Sequence, residues 1–258
     1  MTVTVEAQPR KKRIWLRWLI ALVVIVVLLI AAWIIGDRIA RDYAEDYISD
    51  QIVASFPGTE PDVTLGAGSV LAQAIGGELD SVHVVMDDVT FGDITGNVVF
   101  DANGVPLDSA KTIDTLDVGF TLSEEGVASI VGELDGLENA TTTLGDKQIS
   151  LASEFSVLGI DIPLSLSLDP SVAADALVLT PTTVSVNGAE ISLSDVASSP
   201  FGGAVSNLVK PQSVCVAQYL PSALTLTGAS VVGSSLRLDI VGSDISLATT
   251  DFETLGSC

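Results

Sequence analysis

His83 is the single histidine of the chain, so a Ser-His-Asp relay, in which imidazole takes the serine proton while a carboxylate orients the ring, would have to be built on it. No G-x-S-x-G elbow occurs, and the context Val82-His83-Val84-Val85 reads as strand rather than exposed loop. We therefore read His83 as an ordinary sheet histidine. Asp87-Asp88 offers the paired carboxylates that a glycosidase needs. With 33 acidic residues in the chain, however, neighbouring pairs arise by chance, and the aromatic side chains that stack on sugars are scarce. Gly66-Ala67-Gly68-Ser69-Val70-Leu71 opens like a dinucleotide fingerprint but lacks the third glycine and a surrounding βαβ unit. Its glycines suit a strand-to-helix turn. Asp101-Ala102-Asn103-Gly104 begins like a calcium loop and then departs from the required spacing, so a hairpin turn explains it better. No catalytic residue, metal site or cofactor is expected.

Cys215 and Cys258 are the only cysteines, too few for a structural zinc site. Pairing them closes a loop of about 44 residues, for which chain entropy predicts about 4 kcal/mol of stabilisation. Two lone thiols in an oxidising compartment are the alternative, and each then needs its own explanation.

The elements that must position these residues begin with an apolar run, Leu19 to Ile35. A helix needs about 20 mostly apolar residues to cross the hydrocarbon core, a length reached once Trp18 and Gly36 join and Arg17 snorkels toward headgroups. Trp15, Trp18 and Trp33 stand near its ends, where indole rings prefer the wet boundary. Arg10, Lys11, Lys12, Arg13 and Arg17 precede the run, whereas Arg38 and Arg41 beyond it are offset by Asp37 and Asp42. The positive-inside bias predicts a basic cytoplasmic tail over 1–17, a single-pass membrane anchor over 18–36 and an extracytoplasmic domain over 37–258. A cleaved signal peptide is the competing reading, but it calls for an apolar region of about 7 to 15 residues and a small-x-small site. No good site follows Ala31-Ala32-Trp33.

Beyond Arg41 the basic residues are Lys111, Lys147, Lys210 and Arg237, against 31 acidic ones, a net charge of −27. Such a surface excludes nucleic acid as a partner, since phosphate binding depends on clustered Lys and Arg. Solubility accounts for the charge, with cation binding by some carboxylates as the alternative.

About 220 residues follow the anchor, enough for a substantial core. Apolar alternation in Leu116, Val118, Phe120 and Leu122, and again from Ile160 to Leu168, predicts strands. Val184 and Val186, then Ile191 and Leu193, flank Asn187-Gly188, the strongest short hairpin signal in the chain. Leu224 and Leu226 form one further strand, Leu236, Leu238 and Ile240 the next, and Ile245 and Leu247 follow. Alternation, unlike solid apolar runs, means one wet face and mostly antiparallel pairing.

Helices interrupt this pattern. Asp37 to Phe56 continues from the membrane with Ala40, Ala44, Ile48, Ile52 and Phe56 in a stripe, a stalk that Pro57-Gly58 ends. Ser69 caps a short helix, Val70 to Ile75, closed by Gly76-Gly77. A third starts at Ser123 with Glu124 and Glu125 in its first turn, where the helix dipole favours anions. A fourth runs from Pro200 to Lys210 with Phe201, Val205, Leu208 and Val209 on one side.

Val63-Thr64-Leu65-Gly66, a short apolar helix, then Gly77-Glu78-Leu79-Asp80-Ser81-Val82-His83-Val84 resembles the opening of the actinobacterial LmeA-like phospholipid-binding family. Tyr219-Leu220-Pro221-Ser222-Ala223-Leu224-Thr225-Leu226, followed by Ser235-Leu236-Arg237-Leu238-Asp239-Ile240 and Gly242, resembles its closing strands. The likeness covers about Arg38 to Leu247. One departure is local: relatives tend to open the short helix with Pro-Phe, where this chain has the less bulky Ser69-Val70.

The resemblance implies an α+β fold, a curved and mostly antiparallel sheet wrapped on a long helix in the manner of tubular lipid-binding proteins, preceded by the transmembrane helix. It implies phospholipid as ligand and a non-enzymatic role in the cell envelope, holding or transferring lipid and supporting lipoglycan upkeep. A scaffold that docks another envelope protein without lipid is the rival reading. The apolar candidates for lipid contact are Val70, Leu71, Ile75, Phe155, Val157, Phe201, Val205 and Leu208. Lys111, Lys147, Lys210 and Arg237 are the cations available to an anionic headgroup, although most are expected simply to decorate the surface. A cavity for acyl chains and a plain β core use the same Val, Leu and Ile, so periodicity leaves that choice open.

Overall fold

The computed structural model describes residues 11–55, 58–91, 94–132, 140–157, 160–192, 195, 210–246 and 254–258, with backbone alone at 11–21, 55, 91, 94, 154–157 and 160–162. The apolar run and the amphipathic stretch expected to follow it form one continuous helix, α1 (Lys11–Ser55). At about 1.5 Å per residue it reaches some 68 Å, far more than a bilayer core requires. From Leu22 to Ile35 it is apolar on every side and largely exposed, the composition of a helix suited to a lipid surrounding. Its second part turns Ala40, Ala44, Ile48 and Ile52 toward the protein core.

Among the described residues twelve strands follow, all paired antiparallel. They divide between two curved, open sheets. The first has the order β1 (Asp62–Leu65), β2 (Glu78–Phe91), β3 (Ile94–Pro106), β4 (Thr112–Leu122), β12 (Ser235–Ser246), β11 (Thr225–Val232). Its last two strands come from the far end of the chain, so Leu238 of β12 sits opposite Phe120 of β4. The second runs β10 (Gln212–Cys215), β8 (Ala176–Val186), β7 (Ile160–Ala173), β6 (Gln148–Val157), β5 (Thr141–Gly145), with β9 (Ala189–Ile191) also on β8. Between β1 and β2 lies α2 (Val70–Gly76), and between β4 and β5 lies α3 (Glu124–Gly132).

The alternation reads through directly. Leu116, Val118 and Leu122 are buried on β4, and Leu166 and Leu168 on β7. Asn187 and Gly188 have φ of 55° and 77°, and Val186 pairs with Ala189. Two left-handed residues between paired strands make the type I′ turn that matches strand twist. Ser69 caps α2 by accepting the Ala72 amide at 3.2 Å, and Gly77 ends it in the left-handed region.

Asp101-Ala102-Asn103-Gly104 is not a hairpin turn. β3 runs straight through it, with Asp101 opposite His83 and Asn103 opposite Ser81, and the reversal comes at residues 107–111. Gly104 is glycine because its φ is +62° and an added β-carbon would stand 2.4 Å from the Asp114 carboxylate of β4. The expected helix over 200–210 falls outside the described residues apart from Lys210, as do Leu193 and Leu247.

One aliphatic cluster joins both sheets, from Val63, Leu65 and Met86 through Leu122 and Leu236 to Ile149, Leu168, Leu177 and Leu179. Thr142 is the one buried polar residue among those described.

Candidate functional site

The charged groups of greatest structural consequence lie where α1 leaves its apolar run. Asp37, Arg41 and Glu45 are spaced four apart, so they line up on one face of the helix. Arg41 donates to the carbonyl oxygens of Leu65 at 2.7 Å, Gly66 at 3.0 Å and Gly68 at 2.9 Å. Those carbonyls belong to the end of β1 and the turn into α2, where no ladder partner takes them. A guanidinium is suited to this role because its planar fork carries several donors in fixed directions. Glu45 completes the clamp by accepting the Leu65 amide at 3.0 Å and lies 3.8 Å from Arg41. Asp37 accepts the Ser69 hydroxyl at 2.7 Å and the Leu71 amide at 3.0 Å. The β1–α2 turn is thereby fixed to the head of the stalk.

The same contacts explain the Gly66-Ala67-Gly68 run. A β-carbon on Gly66 would stand 2.1 Å from the Ser81 hydroxyl, and Gly68 has φ +113°. This is a strand-to-helix turn and not a nucleotide cradle.

The lipid-contact candidates on α2 meet three environments. Val70 is buried in the core. Leu71 is half-buried, its Cδ1 3.5 Å from where a β-carbon on Gly36 would be. Ile75 points away from both and is 81% exposed. Phe155 and Val157 lie on β6, opposite Ile162 and Ile160 of β7, with only their backbone described. Phe201, Val205 and Leu208 lie outside the described residues.

The four cations do not converge. Lys111 is exposed in the β3–β4 turn, and Lys147 is exposed at the tip of the β5–β6 turn. Lys210 is exposed just before β10. Arg237 lies on the outer face of β12, with Nε 2.7 Å from the Asp239 carboxylate. A shared headgroup pocket made of these side chains is absent.

Chemistry-bearing residues are likewise dispersed into structural roles. His83 Nδ1 is 2.5 Å from Asp101 Oδ1, a cross-strand pair on a solvent-exposed face. Asp88 has φ +54° at a bulge in β2, where its amide donates to Asn97 Oδ1 at 3.1 Å. No cluster of His, Cys, Asp and Glu able to hold a metal occurs among the described residues. Cys215 and Cys258 form a disulfide with Cα atoms 5.7 Å apart, tying the chain terminus to β10.

A surface hollow of about 340 Å³ lies along β4, β12 and β11 and is lined by Thr115, Asp117, Ala223, Thr225, Val241, Gly242 and Ser243. Its hydroxyls and carboxylate are unsuited to hydrocarbon, which needs aliphatic walls with few directed polar groups. The aliphatic surface is the interior. It runs unbroken from the stripe of α1 through both sheets, with Phe100, Val105, Phe120, Leu164, Val214 and Leu224 partly buried at its margin.

Neither the arginine clamp nor Leu107, exposed beside Gly77, features among the residues singled out from sequence. The i, i+4, i+8 spacing of Asp37, Arg41 and Glu45 is the legible signal, and it identifies a shared face without saying what that face binds.

Comparison with known protein families matches the chain to a family described as LmeA-like phospholipid-binding, over residues 35–240. It starts at the last residue of the apolar run and covers most of the chain. No curated protein and no solved structure matches.

Proposed function

Because the chain belongs to the LmeA-like phospholipid-binding family, we propose that it is a membrane-anchored extracytoplasmic protein that binds phospholipid through its aliphatic interior and holds or transfers it within the cell envelope. The carrying observation is the continuity of that interior from the anchor helix through both sheets, with a single buried polar side chain among the described residues. Acyl chains gain roughly 25 cal/mol per Å² removed from water, so burying about 400 Å² of tail contributes on the order of 10 kcal/mol before ordering costs. Neither a headgroup cage nor a catalytic constellation is required. The protein's role in this reading is carriage, not turnover, and lipoglycan upkeep is the process it serves.

The helix α1 contains one segment long and apolar enough to cross a membrane. With the basic residues at its N-terminal side in the cytoplasm, the two sheets stand outside.

Purification of the full chain, followed by solvent extraction and mass spectrometry, tests lipid carriage. Phospholipid retained through exhaustive delipidated-detergent washing is the expected result. A chain that emerges empty, and that moves no fluorescent phospholipid between vesicles, overturns the proposal.

The packing of the core favours a second reading. Met86, Leu122, Ile149, Leu168, Leu177 and Leu179 are all below 2% exposed, so hydrocarbon must displace side-chain contacts to enter. A tethered scaffold that needs no such entry is what an empty chain would leave.

A further inference from the structure

The end of the first sheet nearest the anchor carries exposed apolar side chains that the core does not use. Val70 and Ile75 are five residues apart on α2, about 140° around the helix. Burial of Val70 therefore directs Ile75 outward, and it is 81% exposed. Leu107 is 54% exposed in the β3–β4 turn. Its amide donates to the Gly77 carbonyl at 3.0 Å, so the turn and the end of α2 move as one unit. Lys111 closes the same turn, its amide bonded to the Asp108 carbonyl at 3.0 Å. The Asp108 carboxylate is engaged by the Ala110 amide at 3.0 Å.

Position supplies what covers this patch. Asp37 bonds Ser69 and Leu71, and Leu71 packs against Gly36, which directly follows the apolar run ending at Ile35. The start of α2 is thus pinned to the last turn of the span. A helix held there lies at headgroup depth.

We propose that Ile75, Leu107 and Lys111 form a bilayer-docking edge, in which the two apolar side chains enter the interfacial region of the anchor's own membrane while the ammonium meets anionic headgroups. The inference rests on the single-span reading and is independent of lipid carriage inside the sheets. An aliphatic side chain on an interfacial helix gains by leaving water, and a lysine close to an anionic surface is attracted to it. The lysine has particular value here because the domain beyond Arg41 is strongly negative and is repelled by such a surface.

Spin labels on single cysteines at positions 27, 75, 107 and 232 test the edge in the full chain. The native Cys215–Cys258 pair is disulfide-bonded and leaves the added thiol as the one to react. The variants Val27→Cys, Ile75→Cys, Leu107→Cys and Val232→Cys are reconstituted in phosphatidylcholine vesicles with and without phosphatidylglycerol. Accessibility to oxygen and to a water-soluble nickel chelate is then read by power saturation. Position 232, exposed at the end of β11 beside the β11–β12 turn, reports water. The expected result is oxygen access with loss of nickel access at 75 and 107, together with a deep reading at 27. In a Lys111→Glu background the label at 107 should move outward in phosphatidylglycerol vesicles and not in neutral ones.

Aqueous readings at 75 and 107 with a deep reading at 27 overturn the docking edge while leaving the span intact. An aqueous reading at 27 removes the span and the edge together. Loss of access to both reagents with spin–spin broadening identifies a second copy as the occupant and also overturns the proposal.

Discussion

The guanidinium of Arg41 donates to the Leu65 carbonyl at 2.7 Å across 24 residues of chain, and through its other amino group to Gly66 and Gly68. One side chain on the stalk thus receives the free end of the edge strand and the turn that follows. The connection between α1 and the sheets is polar and directional, whereas the adjacent Ala40, Ala44, Ile48 and Ile52 supply non-specific burial.

Arg41→Ala should therefore cost about 2 kcal/mol of folding stability, given the usual 1.5 to 3 kcal/mol for a charged hydrogen bond in part-buried surroundings. Arg41→Lys should recover only part of it, because an ammonium cannot span three diverging carbonyls. Urea unfolding of both variants in detergent checks the difference. Equal stability of all three proteins would show that the clamp is dispensable.

Reduction of Cys215–Cys258 should lower folding stability by up to about 4 kcal/mol on the chain-entropy estimate, and the unfolding midpoint with it. The bond holds residues 254–258 near β10, where the Gly256 amide also donates to the Leu220 carbonyl at 2.9 Å. Thermal unfolding with and without reductant, compared with a Cys215→Ser/Cys258→Ser double variant, measures it. The reduced protein and the double variant should agree.

Glu125 in the first turn of α3 is held below the usual carboxylate range by its own backbone amide and by the Ser123 hydroxyl. A depressed folded-state pKa means stability that is complete above the ordinary glutamate value and is lost as pH falls through the lower, folded value. Unfolding midpoints of the native chain and Glu125→Gln should accordingly differ at neutral pH and converge on acidification. A gap that widens toward acid would reverse the sign and refute the assignment.

Leu122 is 0% exposed at the point where β4 enters α3. Leu122→Ala should destabilise by about 2 to 5 kcal/mol, combining lost burial with a residual cavity. Calorimetry reads the loss. If the cavity instead admits lipid tail, the variant should retain more phospholipid on purification than the native chain, a comparison that links packing to carriage.

What the amino-acid order determined is what depends on neighbours a few positions away. Seventeen apolar residues in sequence make a helix long and apolar enough to cross a membrane, period-two alternation makes one-sided strands, Asn187-Gly188 makes a tight turn, and Ser69 begins a helix by capping its own first amides. These follow from local sterics and hydrogen bonding, and each is legible. The tertiary structure decided which distant strands pair. Leu236 to Ser246 lies against β4 because its buried face completes the same core, and nothing near residue 240 specifies that partner. Asp101-Ala102-Asn103-Gly104 has the composition of a turn, yet β2 and β4 pair with Asp101, Ala102 and Asn103 on both sides and keep them in the strand. Likewise Val70, Leu71 and Ile75 are equivalent as apolar residues. Only the docking of α2 between Asp37 and the sheet buries the first, lays the second against Gly36 and turns the third outward, since burial depends on what arrives from elsewhere in the chain.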